Sequence, residues 1–423
     1  MPVKSRSNVS GSVLSFALIL GLGATLAVPH GVAIWPVIFS LLGLMMLIGR
    51  YRIDKNRISV EIREARGLLS ITAGLAILVP LCVDFSHGNS VSFDPYITLL
   101  LLPALSIVVF RTHVQAEVFF YGVALAAVSA FAQASFEVFI QDIQRARGYM
   151  NPIPFGDVCV LFALTLIVRA TSVWRERPVY ASVLLIGIIC ATYGSLLSGS
   201  KGGWLALLAG IVIGLWRLLE SLKVPPTFRI ITILIFFTMG QFLVPDSAKQ
   251  RVVSGFHGAI TWFRTGEISE HSVAARLEMW SWGLLAIQKS PVTGLSREEL
   301  LKLRVEAVAD GRLNPKIFSY PTTKDNEFIN QAATRGILGL IVSVATFVVP
   351  FWVFRRFRQH PSQCVRDLSL VGQLLPIAFI EFGLSVSIWG TSTFRFVYIA
   401  WVVLLLAMIA VHFSEGDQTG VPR

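Results

Sequence analysis

Long apolar runs separated by short polar connections fill the chain up to about residue 244 and again after residue 335. An apolar run of about 17–25 residues is long enough to cross the hydrocarbon core of a bilayer as an α-helix. Twelve runs near this length occur, at 11–29, 32–49, 67–84, 96–110, 116–136, 154–170, 179–197, 203–219, 228–244, 336–354, 369–389 and 396–413. The pattern therefore predicts an all-α, polytopic membrane protein with about twelve transmembrane helices.

The one long stretch without such a run, residues 245–334, has the pattern of several short helices. Ser272–Ser290 carries apolar residues at helical spacing and stops before a proline. Ser296–Glu299 is the sequence of a capping box, which opens a second helix. Thr323–Arg335 predicts a third helix that leads into span ten. We interpret the stretch as a small helical cap on the membrane bundle.

The expected organisation follows from these runs. The first run comes after two basic residues, as a secretory signal does. A second run follows at once without a convincing small-residue cleavage site, so we interpret the first as a retained helix. We expect nine transmembrane helices in residues 1–244, a helical loop in 245–334, three more transmembrane helices in 335–413 and a tail in 414–423.

Composition and charge orient this bundle. Apolar residues make up 54% of the 423 residues and charged ones only 14%, yet the formal net charge is +11. With the N-terminus in the cytoplasm, 20 Lys and Arg residues fall in cytoplasmic tails and short loops, against four in the opposite short loops. The positive-inside rule thus predicts that both termini are cytoplasmic and that loop 245–334 lies on the opposite, outward side of the membrane. Because the basic residues lie between spans and not on one soluble face, we expect no nucleic-acid partner.

The sequence contains no motif for a metal site, a disulfide framework or a nucleotide-binding site. The four cysteines are scattered without a CxxC pair, and the seven histidines form no pair at metal-ligand spacing. The HExxH, GxSxG, Walker and Rossmann fingerprints are also absent from the sequence. We therefore expect no bound metal and no cofactor.

The four basic residues in short outward loops are the candidate chemistry, because the charge rule disfavours them there and an anionic ligand would compensate them. They are Arg145, Arg147, Lys201 and Arg395. Lys201 lies in the glycine-rich stretch 198–204, where backbone amides at the start of span eight, with Gly202, would cradle a phosphate. The alternatives are a simple tight turn with a snorkelling lysine, and a solvated loop for the two arginines near 147.

Further candidates lie in the cap and inside the membrane. Arg276 is on a predicted cap helix, where a surface role is the alternative. Asp325 and Asn326 open the last loop helix, where acids are favoured by the helix dipole but a carboxylate would also serve as a general base. Asp157 and Glu381 lie within apolar runs, where a carboxyl is costly and marks a functional site or a hydrogen-bonded internal pair.

These elements, in this order, resemble the O-antigen ligase and polymerase superfamily of bacterial envelope enzymes. The matching motifs are Ser198-Gly-Ser-Lys-Gly-Gly-Trp204, Arg276-Leu-Glu-Met-Trp280 followed by Pro291-Val-Thr-Gly294, and Asp325-Asn-Glu-Phe328 running into Ala333-Thr-Arg-Gly-Ile-Leu-Gly339, with Arg147-Gly148 and Asn151-Pro152 upstream. The resemblance covers most of the chain and is closest to O-antigen ligases.

The resemblance implies an inverting, metal-independent glycosyltransferase of GT-C-like architecture that works at the periplasmic face. Its donor would be a glycan on undecaprenyl diphosphate, and its acceptor a hydroxyl of the lipid A core. Lys201, Arg276 and Arg147 would hold the diphosphate, and Asp325 would act as the base or orient the acceptor. Fixed cations of this kind stabilise the negative charge that grows on the leaving diphosphate.

Two positions depart from the family pattern. Family ligases usually carry arginine where this chain has Lys201, and a lysine keeps the charge but loses the bidentate fork. They usually carry histidine where this chain has Asp325. A polymerase, which transfers to another lipid-linked repeat, therefore stays open as an alternative. A lipid or anion transporter is a second alternative, although no repeat symmetry is visible in the sequence.

Overall fold

The regular elements of the chain are helices wherever the structure describes it. The computed structural model describes residues 6–48, 59–90, 92–240, 246–268, 272–321 and 324–416. The α-helices in these ranges are α1 Arg6–Gly23, α2 Gly31–Ile48, α3 Val60–Ser86, α4 Asp94–Leu101, α5 Leu105–Thr112, α6 Ala116–Ser135, α7 Pro152–Val173, α8 Pro178–Ser198, α9 Trp204–Ser221, α10 Pro226–Gly240, α11 Asp246–Thr265, α12 Ser272–Lys289, α13 Arg297–Ala309, α14 Glu327–Arg355, α15 Gln363–Gly383 and α16 Ser392–Gly416. The predicted all-α class is confirmed. Residues 1–5, 241–245 and 417–423, where parts of the predicted first tail, ninth span and last tail fall, lie outside the described residues.

The helices also confirm a polytopic membrane protein. Within the described residues, eight helices are long and apolar enough to cross a membrane: α3, α4 with α5, α6, α7, α8, α9, α14 and α16. Three shorter apolar helices, in α1, α2 and α10, coincide with the predicted first, second and ninth spans. The eleventh predicted span corresponds to α15, which carries several charged residues. Twelve spans therefore stay a prediction.

Apolar side chains cover the outside of the bundle as well as its core. Large apolar residues of α3, α8 and α10 are exposed on the protein surface, among them Ile71, Ile186 and Leu234. A soluble protein rarely exposes apolar surface of this extent. In a bilayer such residues face lipid tails, and the helical backbone satisfies its own hydrogen bonds.

Helix α7 is the centre of the bundle. Its side chains are buried almost without interruption, and α6, α8, α9 and α15 pack around it. At one end of α7, Arg169 forms ion pairs with Asp367 of α15 at 2.9 Å and with Glu117 of α6 at 3.1 Å. Arg217 of α9 also reaches Asp367, at 3.2 Å. This buried network ties four helices together at the end where the basic loops lie. Without the two arginines, the buried carboxylate of Asp367 would be an unpaired charge and would destabilise the fold.

Two predicted spans have other boundaries in the structure. The fourth, 96–110, is divided into α4 and α5 by a 3₁₀ turn at Leu102–Ala104, because Pro103 lacks the amide that a continuous helix needs. The eleventh, 369–389, ends as a helix at Gly383. Beyond it the chain loops back, and the Ser387 hydroxyl and the Trp389 amide donate to the buried carboxylate of Glu327 at 3.1 and 3.2 Å.

The cap, defined here as residues 246–321, contains α11, α12 and α13. The predicted helix at Ser272–Ser290 is confirmed as α12, and the predicted capping box at Ser296 is present at the start of α13. Trp282 lies at the centre of a small apolar core between these two helices. Helix α11 was not predicted. The predicted third helix begins at Glu327, later than expected, because Asn326 caps it.

One glycine, Gly336, fixes the junction between the cap and α14. Gly336 has φ 64° and ψ −160°, so α14 bends there between its first nine residues and the membrane span. The loop before α13 packs into this bend: Leu295 donates to the Ala333 carbonyl, and Ile337 donates to the Pro291 carbonyl, both at 2.9 Å. A methyl group on Gly336 would lie 2.0 Å from the Val292 carbonyl oxygen. Only glycine fits this conformation and this contact.

Replacement of Gly336 by alanine tests this junction. We expect Gly336→Ala to lower the free energy of unfolding by about 3 kcal/mol, because it adds both backbone strain and a clash. Gly311 is the matched control, since it also has positive φ (70°) but a methyl group there would meet nothing within 4 Å. Gly311→Ala should cost about 1 kcal/mol. Thermal unfolding in one detergent compares the two, and equal losses would contradict the packing at Gly336.

Candidate active site

The glycine-rich reversal, residues 199–203 between α8 and α9, is clamped onto the central helix α7. Gly199 ends α8 with φ 60°, which glycine adopts without strain. The Ser200 hydroxyl donates to the Asp157 carboxylate at 2.8 Å. A methyl group on Gly202 would lie 2.6 Å from the Ser385 hydroxyl oxygen and 3.2 Å from Asp157. The reversal therefore lies against α7 and against the loop that follows α15.

The amides at the start of α9 are not free for a phosphate. The carboxylate of Glu381 accepts from the Leu205 amide at 2.9 Å and from the Ala206 amide at 2.6 Å. These two amides therefore already have an acceptor, a carboxylate at the positive end of the helix dipole, and phosphate binding by Lys201 and Gly202 stays a prediction. Glu381 is thereby a hydrogen-bonded structural carboxyl, which was one of its two interpretations.

Arg145 supports the reversal from the neighbouring loop. Its Nε donates to the Ser198 carbonyl at 2.8 Å, and the Ala146 amide donates to the Leu197 carbonyl at 3.1 Å. The Arg147 amide donates to Glu137 at 2.7 Å, while the side chain of Arg147 is exposed. The side chain of Arg145 thus binds the backbone at the end of α8, and the side chain of Arg147 is at the surface of the same loop.

Lys201 reaches from the reversal to the cap. A methyl group on Gly255 of α11 would lie 3.2 Å from the Lys201 Nζ. The ammonium group of Lys201 is therefore close to α11. The backbone of Lys201 adjoins Gly202, which lies against Asp157. This contact joins the membrane bundle to the cap at the predicted site.

Arg276 of α12 is partly buried and lies within electrostatic reach of two carboxylates. Burial lowers the pKa of Arg276, and the nearby carboxylates of Asp325 and Asp157 act in the opposite direction. Asp157 is fully buried, and its Oδ2 has no hydrogen-bond partner among the described residues. The structure thus brings Arg276, Asp325, Asp157 and the Lys201 reversal together at one end of the bundle.

Asp325 and Asn326 have different places in this site. Asp325 has φ 44°, a left-handed conformation that aspartate, asparagine and histidine adopt more readily than other side chains. Asn326 is buried, and its Oδ1 accepts from the Phe328 and Ile329 amides, both at 3.0 Å. Asn326 is therefore the N-cap residue of α14. Its fixed position holds the preceding residue, Asp325, near Arg276.

Arg395 lies apart from this group. It is buried and forms an ion pair with Asp94, and it also donates to the Trp389 carbonyl. With Arg335 it lines a separate cavity of about 370 Å³ between α4, α14 and α16. The structure therefore does not bring Arg395 to the other predicted residues.

Lys324 is the residue that sequence reasoning missed. It is 1% exposed, and its Nζ lies 4.2 Å from the ring centre of Trp282. Burial, with the nearby charge of Arg304, lowers its pKa to about 7. No signal in the sequence separates this buried lysine from the exposed lysines of the cap, because its neighbours are polar.

Within the described ranges no three His, Cys, Asp or Glu residues are grouped closely enough to hold a metal ion. The chemistry that the residues themselves offer is a desolvated guanidinium and an ammonium for an anion, with Asp325 as a carboxylate for a proton. Such an arrangement suits the stabilisation of a departing anion.

These features define a class: an all-α polytopic membrane protein with cations and carboxylates gathered between its bundle and a helical cap. The sequence model of the O-antigen ligase family matches residues 186–344, the segment that contains Lys201, Arg276 and Asp325. The resemblance to the O-antigen ligase superfamily is thereby confirmed. An uncharacterized protein of Haemophilus influenzae strain KW20 / Rd is 23% identical over 363 residues, which cover 82% of this chain and 86% of that protein.

The buried Lys324 predicts a pH-dependent stability. Its pKa is near 10.5 in the unfolded chain and about 7 in the folded protein, so between these values the unfolded state binds more protons. Stability should rise with pH across this window and be flat below it. Lys324→Met should raise the melting temperature at pH 7 and reduce its increase between pH 7 and 9.

Lys302 is the matched control for this measurement, since it is an exposed lysine, on α13 of the cap. Lys302→Met should leave the pH dependence as it is in the parent protein. Equal slopes of melting temperature against pH in the parent and in Lys324→Met would contradict a lowered pKa of Lys324.

Proposed function

We propose that the protein is a lipid-linked glycan transferase of the O-antigen ligase type. It moves a glycan from undecaprenyl diphosphate to a lipid A-core hydroxyl at the periplasmic face of the inner membrane, without a metal. The observation that carries this proposal is the desolvated Arg276 beside Asp325 and Asp157, in the segment that matches the family.

The proposed reaction is a single displacement. The acceptor hydroxyl oxygen attacks the anomeric carbon and forms the new glycosidic bond. The bond from this carbon to the diphosphate oxygen breaks, and the electron pair leaves with the diphosphate. The configuration inverts because the hydroxyl attacks from the face opposite the departing diphosphate. Asp325 accepts the proton of the hydroxyl.

The cations act on the leaving group. Arg276 and Lys201 bind the diphosphate and stabilise the charge that develops on it in the transition state. Arg276 is already desolvated, so its charge acts in a medium of low dielectric constant, where electrostatic stabilisation is larger than in water. Arg147 is exposed at the edge of the site and adds charge for the incoming diphosphate.

A polymerase uses the same donor and the same cations but a different acceptor, a second lipid-linked repeat. The superfamily includes both activities, and the acceptor distinguishes them. Purified protein in nanodiscs is incubated with a lipid-diphosphate glycan, with or without lipid A-core, and products are identified by mass. A product on lipid A-core supports the ligase, and a longer lipid-linked glycan supports the polymerase. Transport by the protein in reconstituted vesicles, with no covalent product, supports the transporter alternative.

Arg276→Ala tests the diphosphate site. We expect the turnover rate to fall about 10²–10³-fold, the loss typical when one charge-stabilising donor is removed. Arg312→Ala is the matched control, because Arg312 is an exposed cap arginine paired with Asp310, and it should keep full activity. Full activity in a folded Arg276→Ala protein would overturn the site.

Asp325→Asn and Asp325→His test the proton acceptor. The amide keeps the size but cannot take a proton, so we expect a loss of about 10²–10⁴-fold. The imidazole restores a base, and histidine tolerates the left-handed backbone of this position. We expect Asp325→His to recover activity, with a rate that increases as pH rises past about 6.5. Equal activity in Asp325→Asn and the parent protein would exclude Asp325 as the base.

A further inference from the structure

Trp280 of α12 presents a hydrogen-bond donor that the protein does not use. Its Nε1 is buried and has no partner among the described residues. Two neighbouring tryptophans of the cap are satisfied: Trp262 donates to Glu278 at 2.6 Å, and Trp282 donates to the Leu300 carbonyl at 3.2 Å. Because a buried N–H without an acceptor is costly, such an exception in a folded protein calls for an explanation.

Trp280 is on the same face of α12 as Arg276. Residues four apart on a helix are neighbours, with about 5–6 Å between their Cβ atoms. Gly283, one turn further on, belongs to this face too, and a methyl group on it would lie 2.3 Å from Ile329 and 3.0 Å from Lys324. This face of α12 therefore packs towards the segment that contains Asp325. Trp282 lies in the core of the cap, where Lys324 of that segment reaches its ring.

A second tryptophan repeats the pattern in another segment. Trp204 is the first residue of α9, and its Nε1 is also buried without a partner among the described residues. It follows Lys201 by three positions, as Trp280 follows Arg276 by four. Trp204 and Trp280 are the two indoles with this feature in the described part of the chain, and they lie in the segments that supply the two cations.

An indole N–H can only donate, and it is neutral, so its natural partner is an oxygen atom of a bound ligand. The aromatic ring offers in addition an apolar surface to the C–H groups of a sugar ring. A sugar bonded to a diphosphate on Arg276 would lie within about one turn of α12, which is the spacing of Trp280 from Arg276. We propose that Trp280, with Trp204, binds this first sugar of the donor, an inference that rests on the proposed function.

The test compares two lipids that differ only in the sugar. One is undecaprenyl diphosphate and the other is undecaprenyl diphosphate that carries a single N-acetylglucosamine. Dissociation constants are measured for each with the protein in nanodiscs. Trp280→Phe should weaken the sugar-bearing lipid about 3- to 10-fold, the loss of one neutral hydrogen bond, and leave the bare diphosphate lipid unchanged.

Thermal stability separates binding from structure. Trp280→Phe removes a donor with no protein partner, so its melting temperature should not fall. Trp282→Phe is the matched control: it loses the bond to the Leu300 carbonyl, so its melting temperature should fall while both affinities stay at the parent values. Trp204→Phe provides an independent variant with the same expected selectivity, and it serves if Trp280→Phe does not fold.

The outcomes separate this inference from the proposed function. Equal weakening of both lipids, or no weakening of either, in Trp280→Phe and Trp204→Phe would overturn the sugar assignment. If Arg276→Gln loses affinity for both lipids in that same experiment, the diphosphate site is supported even when the sugar assignment fails. If the parent protein binds neither lipid, the proposed function itself fails.

Discussion

Two carboxylates within the membrane bundle, those of Asp157 and Glu381, determine where the reversal between α8 and α9 lies. Asp157 binds Ser200, and Glu381 accepts from the first free amides of α9. A carboxylate in a bilayer requires such partners, so the reversal cannot move without leaving one of them unsatisfied. Lys201 is fixed between these anchors, and the cap closes over it with α11.

The cap and its junction with α14 supply the other residues of the site. Arg276 comes from α12, and the bend of α14 at Gly336 sets the direction in which the segment before it, with Asp325, meets that helix. The contacts of the Pro291–Leu295 loop with this bend lock the two parts of the chain together. In the proposed reaction the bundle thus supplies Lys201 and Asp157, the cap supplies Arg276, and their junction supplies Asp325.

Much of the fold was predictable because membrane spans and helix caps leave local signals. The apolar runs, α12 and the capping box at Ser296 were all visible in the sequence. The capture of the α9 amides by Glu381 was not, because it joins residues about 175 positions apart, and periodicity reports a helix face but not its partner. Lys324 was missed for the same reason: its burial depends on Trp282, and nothing local to it differs from a solvated loop.

Charge balance shows why aspartate suits the position where the resemblance implies histidine. In the proposed displacement the departing diphosphate gains one negative charge, and the base gains one proton. Aspartate changes from −1 to 0 and histidine from 0 to +1, so the charge of the site as a whole is conserved with either residue. A site of low dielectric constant favours such a step, because no net charge has to be desolvated. The difference is in the resting site, where the carboxylate of Asp325 acts on the partly buried Arg276 and a neutral imidazole would not.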